Sequence, residues 1–181
     1  MIIGMALKEL FKGKTIKVGS DDVTVQFHFG DQKELNNWIA NKMLNKAQKY
    51  PLIWYVINAP DPQGNEKLKV ESQLILFQGT NSQIFNDKRY ETTYLNYLEP
   101  LYDLVNKTLN ESRFVSLLHS GRPIGYKDEP NYGIDTNNPN NNKDNYFTKS
   151  SVKGSKSITI DVVDAKILRV KMEITPKCII I

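Results

Sequence analysis

The amino-acid sequence predicts an α+β fold, with an antiparallel or mixed sheet of hairpins flanked by two main helices. Short runs of strand length occur in three pairs along the 181-residue chain, and all but one of them alternate apolar and polar residues in the manner of half-buried strands. Two longer segments between these pairs carry apolar residues at the spacing of an amphipathic helix. The resulting order of hairpin, helix, hairpin, helix, hairpin is typical of a sheet with helices packed against it.

The N-terminal region is predicted to form a short helix followed by a hairpin. The helix covers residues 5–11 and ends at Gly13, because glycine readily adopts the left-handed conformation that closes a helix. Residues 14–18 and 23–29 alternate on either side of the turn-forming segment 19–22. That pattern indicates a β-hairpin with one apolar face.

A longer helix and the core strand follow. Asp31 and Glu34 have the spacing of a capping box, so a helix is expected to start there and to continue to about Tyr50, where Pro51 ends it. Residues 52–57 then form a nearly continuous apolar run of strand length. Such a run is typical of a central strand that is covered on both faces.

The core strand is expected to form a large hairpin with the next strand. Residues 58–65 are rich in turn formers, and residues 68–77 begin in strict alternation. We expect a mobile tip, and we expect the polar half around residues 66–73 to project beyond the core.

A second long helix is predicted from the apolar stripe that runs from Tyr90 to Leu109. Pro100 lies inside this stripe, and a proline inside a helix removes a backbone hydrogen bond and clashes with the preceding turn. We therefore expect a kink, or a break into two helices, at this residue.

The C-terminal region is predicted to contain a long loop and a last hairpin. Short extended pieces at residues 114–118 and 123–126 precede the polar segment 128–156, which lacks the apolar surface needed to order itself alone. Residues 157–163 and 167–174 alternate around Asp164, Ala165 and Lys166, which we interpret as a turn. The chain as a whole, residues 1–181, is predicted to be a single domain.

Composition and charge narrow the class of protein. The 24 basic and 20 acidic residues give a net charge of +4, but they are interleaved, which disfavours sequence-specific binding of DNA. No secretory signal or membrane-spanning run is visible, so a protein without membrane contact is expected. Cys178 is the only cysteine, so no internal disulfide can form and a reducing cytoplasm fits best.

Residues with catalytic chemistry are few. His28 lies in a predicted strand, and His119 lies beside Ser120, which would point to the opposite side of an extended segment. No metal-ligand spacing or phosphate-binding motif occurs. We expect no catalytic, cofactor-binding or metal-binding residue, and a protein that is not an enzyme.

Tyrosines beside cations leave a second interpretation open. Tyr90, Tyr94 and Tyr97, next to Lys88 and Arg89, resemble the stacking platforms that bind single-stranded nucleic acid. Tyrosine at helical spacing is more often a packing stripe. A nucleic-acid-binding accessory protein is the alternative hypothesis.

Three segments of the chain resemble a family of phage proteins. They are residues 50–55 (YPLIWY), which lead into the long hairpin, residues 86–91 (NDKRYE) and residues 98–102 (LEPLY). Together they are similar to the tail-terminator and neck-ring proteins of tailed bacteriophages, in particular phages of Bacteroidetes-type hosts, including crAss-like phages. An Arg-Tyr helix start and a proline within the helix are features of that family. The asparagine-rich segment after Tyr126 departs from its usual short connection.

The resemblance implies a structural virion protein without a cofactor. It would form a homo-oligomeric ring, of six or twelve copies, at the head-to-tail junction of a virion assembled in the bacterial cytoplasm. Its partners would be further copies, the adjoining neck or tail proteins, and DNA that passes through the channel without being read. The residues expected to form the interface are Trp54, Glu66, Lys67, Lys69, Glu71, Arg89, Tyr90, Ile179, Ile180 and Ile181.

Overall fold

The computed structural model describes residues 2–40, 44–58, 61–63, 67–80, 84, 86–113, 115–118, 122–132 and 162–174. It is a mixed α+β fold, as the sequence predicts. The helices are α1 (Ile2–Phe11), α2 (Gln32–Ala40), α3 (Lys46–Lys49), α4 (Asn86–Arg89), a π-helix (Tyr90–Leu98) and α5 (Glu99–Asn110). The strands are β1 (Thr15–Val18), β2 (Asp21–Thr24), β3 (Gln26–Gly30), β4 (Leu52–Val56), β5 (Asp61–Gln63), β6 (Lys67–Gly79), β7 (Val115–Leu117), β8 (Tyr126–Glu129) and β9 (Val163–Ile174).

The main sheet has the strand order β3-β4-β6-β9-β7. Strand β3 runs parallel to β4, and the other pairs are antiparallel. Strand β5 pairs with the far half of β6, and β8 pairs with β9 on the same side as β7. The described strands therefore form a mixed sheet in which β3 lies at one edge and β7 and β8 lie at the other.

Each face of the sheet has its own apolar layer. On the first face, α1, the β1–β2 hairpin, the π-helix and α5 cover alternate residues of β4, β6 and β9. On the second face, α2 covers the residues in between, and Trp54 is buried there. Because both faces of β4 are covered, its unbroken apolar run is explained, and the predicted core strand is confirmed.

The start of α2 matches its sequence signature. The Asp31 side chain accepts a hydrogen bond from the Glu34 N–H at 2.8 Å, and the Glu34 side chain accepts one from the Asp31 N–H at 2.8 Å. These two bonds are the reciprocal pair of a capping box. The helix is shorter than predicted, since it ends at Ala40 and the separate turn α3 precedes the core strand.

The first hairpin is also shorter than predicted. Strand β2 ends at Thr24, and the segment predicted to extend to Phe29 is divided at Val25, whose N–H donates to the Lys14 carbonyl oxygen. Beyond Val25 the chain leaves the hairpin and becomes β3 of the main sheet. The end of α1 follows the prediction, with Gly13 at a φ of +67°.

The polar half of β6 does not project from the fold as predicted. Residues 67–69 pair with β5, and β6 pairs with β9 from Leu68 to Gly79. Val70 and Ser72 are buried. Within the tip that was predicted to be mobile, residues 61–63 form β5, and residues 59–60 and 64–66 lie outside the described residues.

The second long helix does not break at Pro100 but changes its hydrogen-bond pattern just before it. The Glu99 N–H donates to the Tyr94 carbonyl oxygen, five residues back, which is the π pattern. Pro100 has no N–H and so cannot extend that ladder, and it occupies the first turn of α5, where proline is tolerated. The proline therefore marks the end of the π-helix.

The C-terminal hairpin prediction is wrong. Strand β9 continues from Val163 to Ile174, so the predicted turn at Asp164, Ala165 and Lys166 lies inside a strand that pairs with β6. The first residues of the predicted loop also form structure, since Tyr126–Glu129 is β8 and the Tyr132 ring packs edge-on against Phe77. Residues 133–161, which contain the rest of the predicted loop and most of the first strand of the predicted hairpin, lie outside the described residues.

No helix within the described ranges is long and apolar enough to cross a bilayer.

The capping box provides a test of the α2 start. Asp31→Ala removes the acceptor for the Glu34 N–H and should lower the free energy of unfolding by about 1 kcal/mol. Lys33→Ala, at an exposed position in the same turn, should change it by less than about 0.5 kcal/mol. Urea denaturation measures both, and equal effects of the two substitutions would contradict the role of the cap.

Candidate functional site

A group of buried charges lies on the first face of the sheet, where the π-helix and α5 cross the start of β9. Asp164 and Lys166 are fully buried, and both point to the same face as Leu168 because side chains of a strand alternate. We call the group formed by Arg89, Glu99, Asp128, Asp164 and Lys166 the charged cluster. In the charged cluster, charged side chains occupy the positions that apolar side chains occupy elsewhere on the first face of the sheet.

Lys166 is the centre of the charged cluster. Its ammonium group lies 3.0 Å from a Glu99 carboxylate oxygen and 2.9 Å from an Asp128 carboxylate oxygen. Glu99 belongs to α5 and Asp128 to β8, so the Lys166 side chain connects its own strand β9 with the helical layer and with the edge strand β8. Both carboxylates are partly exposed, whereas the Lys166 side chain is fully buried. Only the acidic partners of these ion pairs therefore contact solvent.

Aromatic rings complete the environment of Lys166. The ammonium nitrogen lies 3.4 Å from the centre of the Tyr126 ring and 5.5 Å from that of Tyr102. The two rings contact each other edge to face, and the Tyr102 hydroxyl donates to the Ile124 carbonyl oxygen at 2.8 Å. A cation over the face of a tyrosine ring is stabilised by about 0.5–2 kcal/mol, with more at desolvated sites.

The pKa of Lys166 is set by opposing effects. Burial lowers it, because the charged form loses hydration, while the hydrogen bonds and charges of Asp128 and Glu99 raise it. The net effect is a pKa above the ordinary lysine value. Lys166 is therefore a charged structural group at neutral pH and is poorly suited to act as a nucleophile or base, which requires a lowered pKa.

Arg89 and Asp164 form the second ion pair of the cluster. The Arg89 Nε lies 3.5 Å from Asp164 Oδ2, and both side chains are almost completely buried. Asp164 Oδ1 accepts a hydrogen bond from the Asn131 N–H at 2.8 Å, which fixes the turn after β8 to β9. Burial raises the pKa of Asp164, and the Asn131 N–H, Arg89 and Thr80 partly oppose that shift.

Tyr94 lies beside this pair on the π-helix. Its hydroxyl is buried and has no hydrogen-bond partner among the described residues. Burial raises the pKa of Tyr94 strongly, and the carboxylates of Asp164 and Asp128 add to that effect. Tyr94 therefore stays protonated throughout the ordinary pH range and packs against the Tyr90 ring, with centres 6.2 Å apart.

The predicted interface residues that the structure describes have different surroundings in the fold. Trp54 lies under α2, where its Nε1 donates to the Gly30 carbonyl oxygen, and Arg89 is buried in the charged cluster, so neither offers a contact surface in this fold. Lys69 is half-buried on β6, and Glu71 is exposed and pairs with Lys171 at 3.0 Å. Tyr90 is exposed, while Glu66, Ile179, Ile180, Ile181 and the side chain of Lys67 lie outside the described residues.

The two histidines and the tyrosine stripe have different outcomes. His28 lies in a strand, as predicted, and its ring centre is 3.7 Å from that of Trp38. Burial, and then the charge of Lys8, lowers the pKa of His28. His119 and Cys178 lie outside the described residues. Within the stripe, Tyr94 is buried as a packing residue, whereas Tyr90 is exposed.

Sequence reasoning missed Glu99, Asp128, Asp164 and Lys166. The available signal was the alternation from Val163 to Ile167, in which the odd-numbered residues stay apolar through the supposed turn. The prediction gave more weight to the turn preference of Asp164 and Lys166 than to the alternating period of the strand.

Comparison with known proteins does not identify a family for this chain. No family model matches it, and a search of curated proteins gave no significant match.

The buried pair can be tested by a double-mutant cycle. Asp164→Asn removes the charge that faces buried Arg89 and should lower the free energy of unfolding by about 3 kcal/mol. The double variant Asp164→Asn with Arg89→Met should lose less free energy of unfolding than the sum of the two single variants, because Arg89→Met removes the buried charge that Asp164→Asn leaves without its partner carboxylate. Glu71→Gln, at the exposed pair, should cost less than about 1 kcal/mol. Additive effects at positions 89 and 164 would rule out the coupling.

The raised pKa of Lys166 predicts an alkaline loss of stability. Its contribution is fully present below the unfolded-state pKa of about 10.4 and is lost as the pH rises through the higher folded-state pKa. The difference in free energy of unfolding between the wild type and Lys166→Met should therefore be constant up to about pH 10 and shrink as the pH rises above it. As a control for the loss of a lysine, Lys127→Met at an exposed position of β8 should change the free energy of unfolding at neutral pH by less than about 1 kcal/mol. A constant difference for Lys166→Met would disprove this origin of its pKa shift.

Proposed function

We propose that this chain is a structural protein that assembles into a closed ring at the head-to-tail junction of a tailed bacteriophage. In this role it joins or caps adjacent tiers of the neck and lines the channel through which DNA passes. Subunits of a cyclic ring contact each other through two different surfaces, one on each side. The proposal therefore needs a subunit with two unlike sides.

The observation that carries the proposal is the difference between the two edges of the sheet. Strand β3 has the sequence QFHFG and contains no lysine, arginine, aspartate or glutamate. The other edge consists of β7, with the uncharged sequence VSL, and β8, which carries Lys127, Asp128 and Glu129 and is followed by Pro130. Short strands with charged residues and proline discourage edge pairing, whereas an uncharged edge invites it.

Two further observations support the proposal. The resemblance of residues 50–55, 86–91 and 98–102 to phage neck-ring proteins falls on the core strand, α4 with the start of the π-helix, and the start of α5. The charged cluster ties these last two elements to the sheet, which supports a subunit that meets its neighbours at a fixed angle. A net charge of +4 suits non-specific contact with DNA.

Assembly of the purified full chain tests the proposal. Mass photometry and negative-stain microscopy should show rings of uniform copy number, and deletion of residues 179–181 should shift the population toward monomer by removing an apolar contact. Ile→Val at all three positions keeps apolar, β-branched side chains and should keep the rings. A monomer that binds oligonucleotides would favour the nucleic-acid-binding alternative and would rule out the ring.

A further inference from the structure

The outer edge of β3 has backbone groups that no strand of the described residues pairs with. Toward β4, the Gln26 N–H donates to the Pro51 carbonyl oxygen at 2.9 Å, and the Gly30 carbonyl oxygen accepts from the Ile57 N–H at 3.2 Å. Residues of a strand alternate in the side toward which their N–H and C=O groups point. The N–H and C=O groups of Phe27 and Phe29 therefore point outward.

Apolar side chains flank this edge on both faces. Phe29 is partly buried on the first face, and Trp38 is partly buried on the second face, where its ring packs on His28. A strand added here would find apolar neighbours above and below. The strand that fits such a position is continuously apolar rather than alternating, as in strands buried on both faces.

One segment of the chain has this character. Residues 179–181 are three consecutive isoleucines, which are β-branched and favour strands. Lys177 precedes them, and Asp31 and Glu34, both exposed, follow β3. An antiparallel arrangement with Ile179 opposite Phe29 and Ile181 opposite Phe27 also brings Lys177 opposite Asp31, so the charges are complementary.

This segment cannot reach β3 of its own sheet. Ile174 pairs with Leu68 of β6. Phe29 pairs with Tyr55, which in turn pairs with Leu74 of β6. Phe29 is therefore displaced from Ile174 by six residues along the strands and by three strands across the sheet. Those offsets correspond to about 20 Å along the strands and about 14 Å across them, or about 24 Å in a straight line. Residues 174 to 179 span at most about 17 Å when fully extended.

We propose that residues 179–181 of a second copy of this chain add to β3 as an antiparallel strand, with Ile179 beside Phe29 and Ile181 beside Phe27. The contact deepens the proposed ring by naming the surface that joins neighbouring copies. It uses the uncharged edge and leaves the charged β8 edge free. Because the donor and acceptor surfaces differ, each copy accepts one strand and donates another, as a heterologous interface requires.

Cross-linking between two single-cysteine chains tests this contact. The acceptor is Gln32→Cys with Cys178→Ser, which places its thiol at an exposed position just past β3, and the donor is the wild type with Cys178. The two chains carry tags of different mass and are mixed and treated with a short bismaleimide. The expected product is a covalent heterodimer of acceptor and donor.

A matched control uses the opposite edge. Ser116→Cys with Cys178→Ser places an exposed thiol on β7, and its heterodimer yield should be at least tenfold lower. Equal yields from both acceptors, or no heterodimer from either, overturn the proposal. An internal cross-link in Gln32→Cys that carries its native Cys178, at a dilution where copies do not meet, also overturns it.

The result separates this contact from the proposed function. Rings that form without the heterodimer overturn the β3 contact and leave the ring intact. A chain that is monomeric by mass photometry and forms no heterodimer overturns both.

Discussion

A lysine ammonium group that water does not reach holds the helical layer to the sheet at one end of this fold. Lys166 is at zero exposure, yet it carries its charge because Glu99 and Asp128 approach it from two different elements and a tyrosine ring covers it. Removing one partner of such a group leaves an uncompensated charge, which is far more costly than the net gain of the intact group. The geometry of α5, β8 and β9 is therefore interdependent.

The π-helix spans the same junction. Arg89, which precedes it, pairs with Asp164, and Glu99, which follows it, pairs with Lys166. Tyr94 lies between these contacts and packs inward, and Tyr90 remains on the surface. Pro100 ends the π pattern, and α5 then follows the ordinary spacing that buries Leu101, Val105 and Leu109.

The two edges of the sheet differ in their charge and in their apolar surroundings. The β8 edge is held in place from below by Lys166 and carries charged residues outward, which suits a surface that remains in solvent. The β3 edge is uncharged and has apolar neighbours on both faces, which suits a surface that another chain covers. Neither property depends on a catalytic group, and both are compatible with a role in assembly.

Local signals in the sequence determined the parts of the fold that depend on neighbouring residues. The capping box of Asp31 and Glu34, the glycine that closes α1, and the continuous apolar run of β4 each act over a few residues, and each was predictable. The hairpin between β4 and β6 was predictable for the same reason.

Tertiary structure alone decided the charged cluster. A lysine and an aspartate in alternation with valine, alanine and isoleucine are stable inside a strand only if partners lie across the fold, and Glu99 is 67 residues away from Lys166 in the chain. The separation of β3 from the first hairpin has the same origin, since it depends on a parallel ladder with β4 rather than on residues near Val25. Local preference favours a turn at Asp164–Lys166, and the free energy of long-range charge pairing and sheet formation outweighs it.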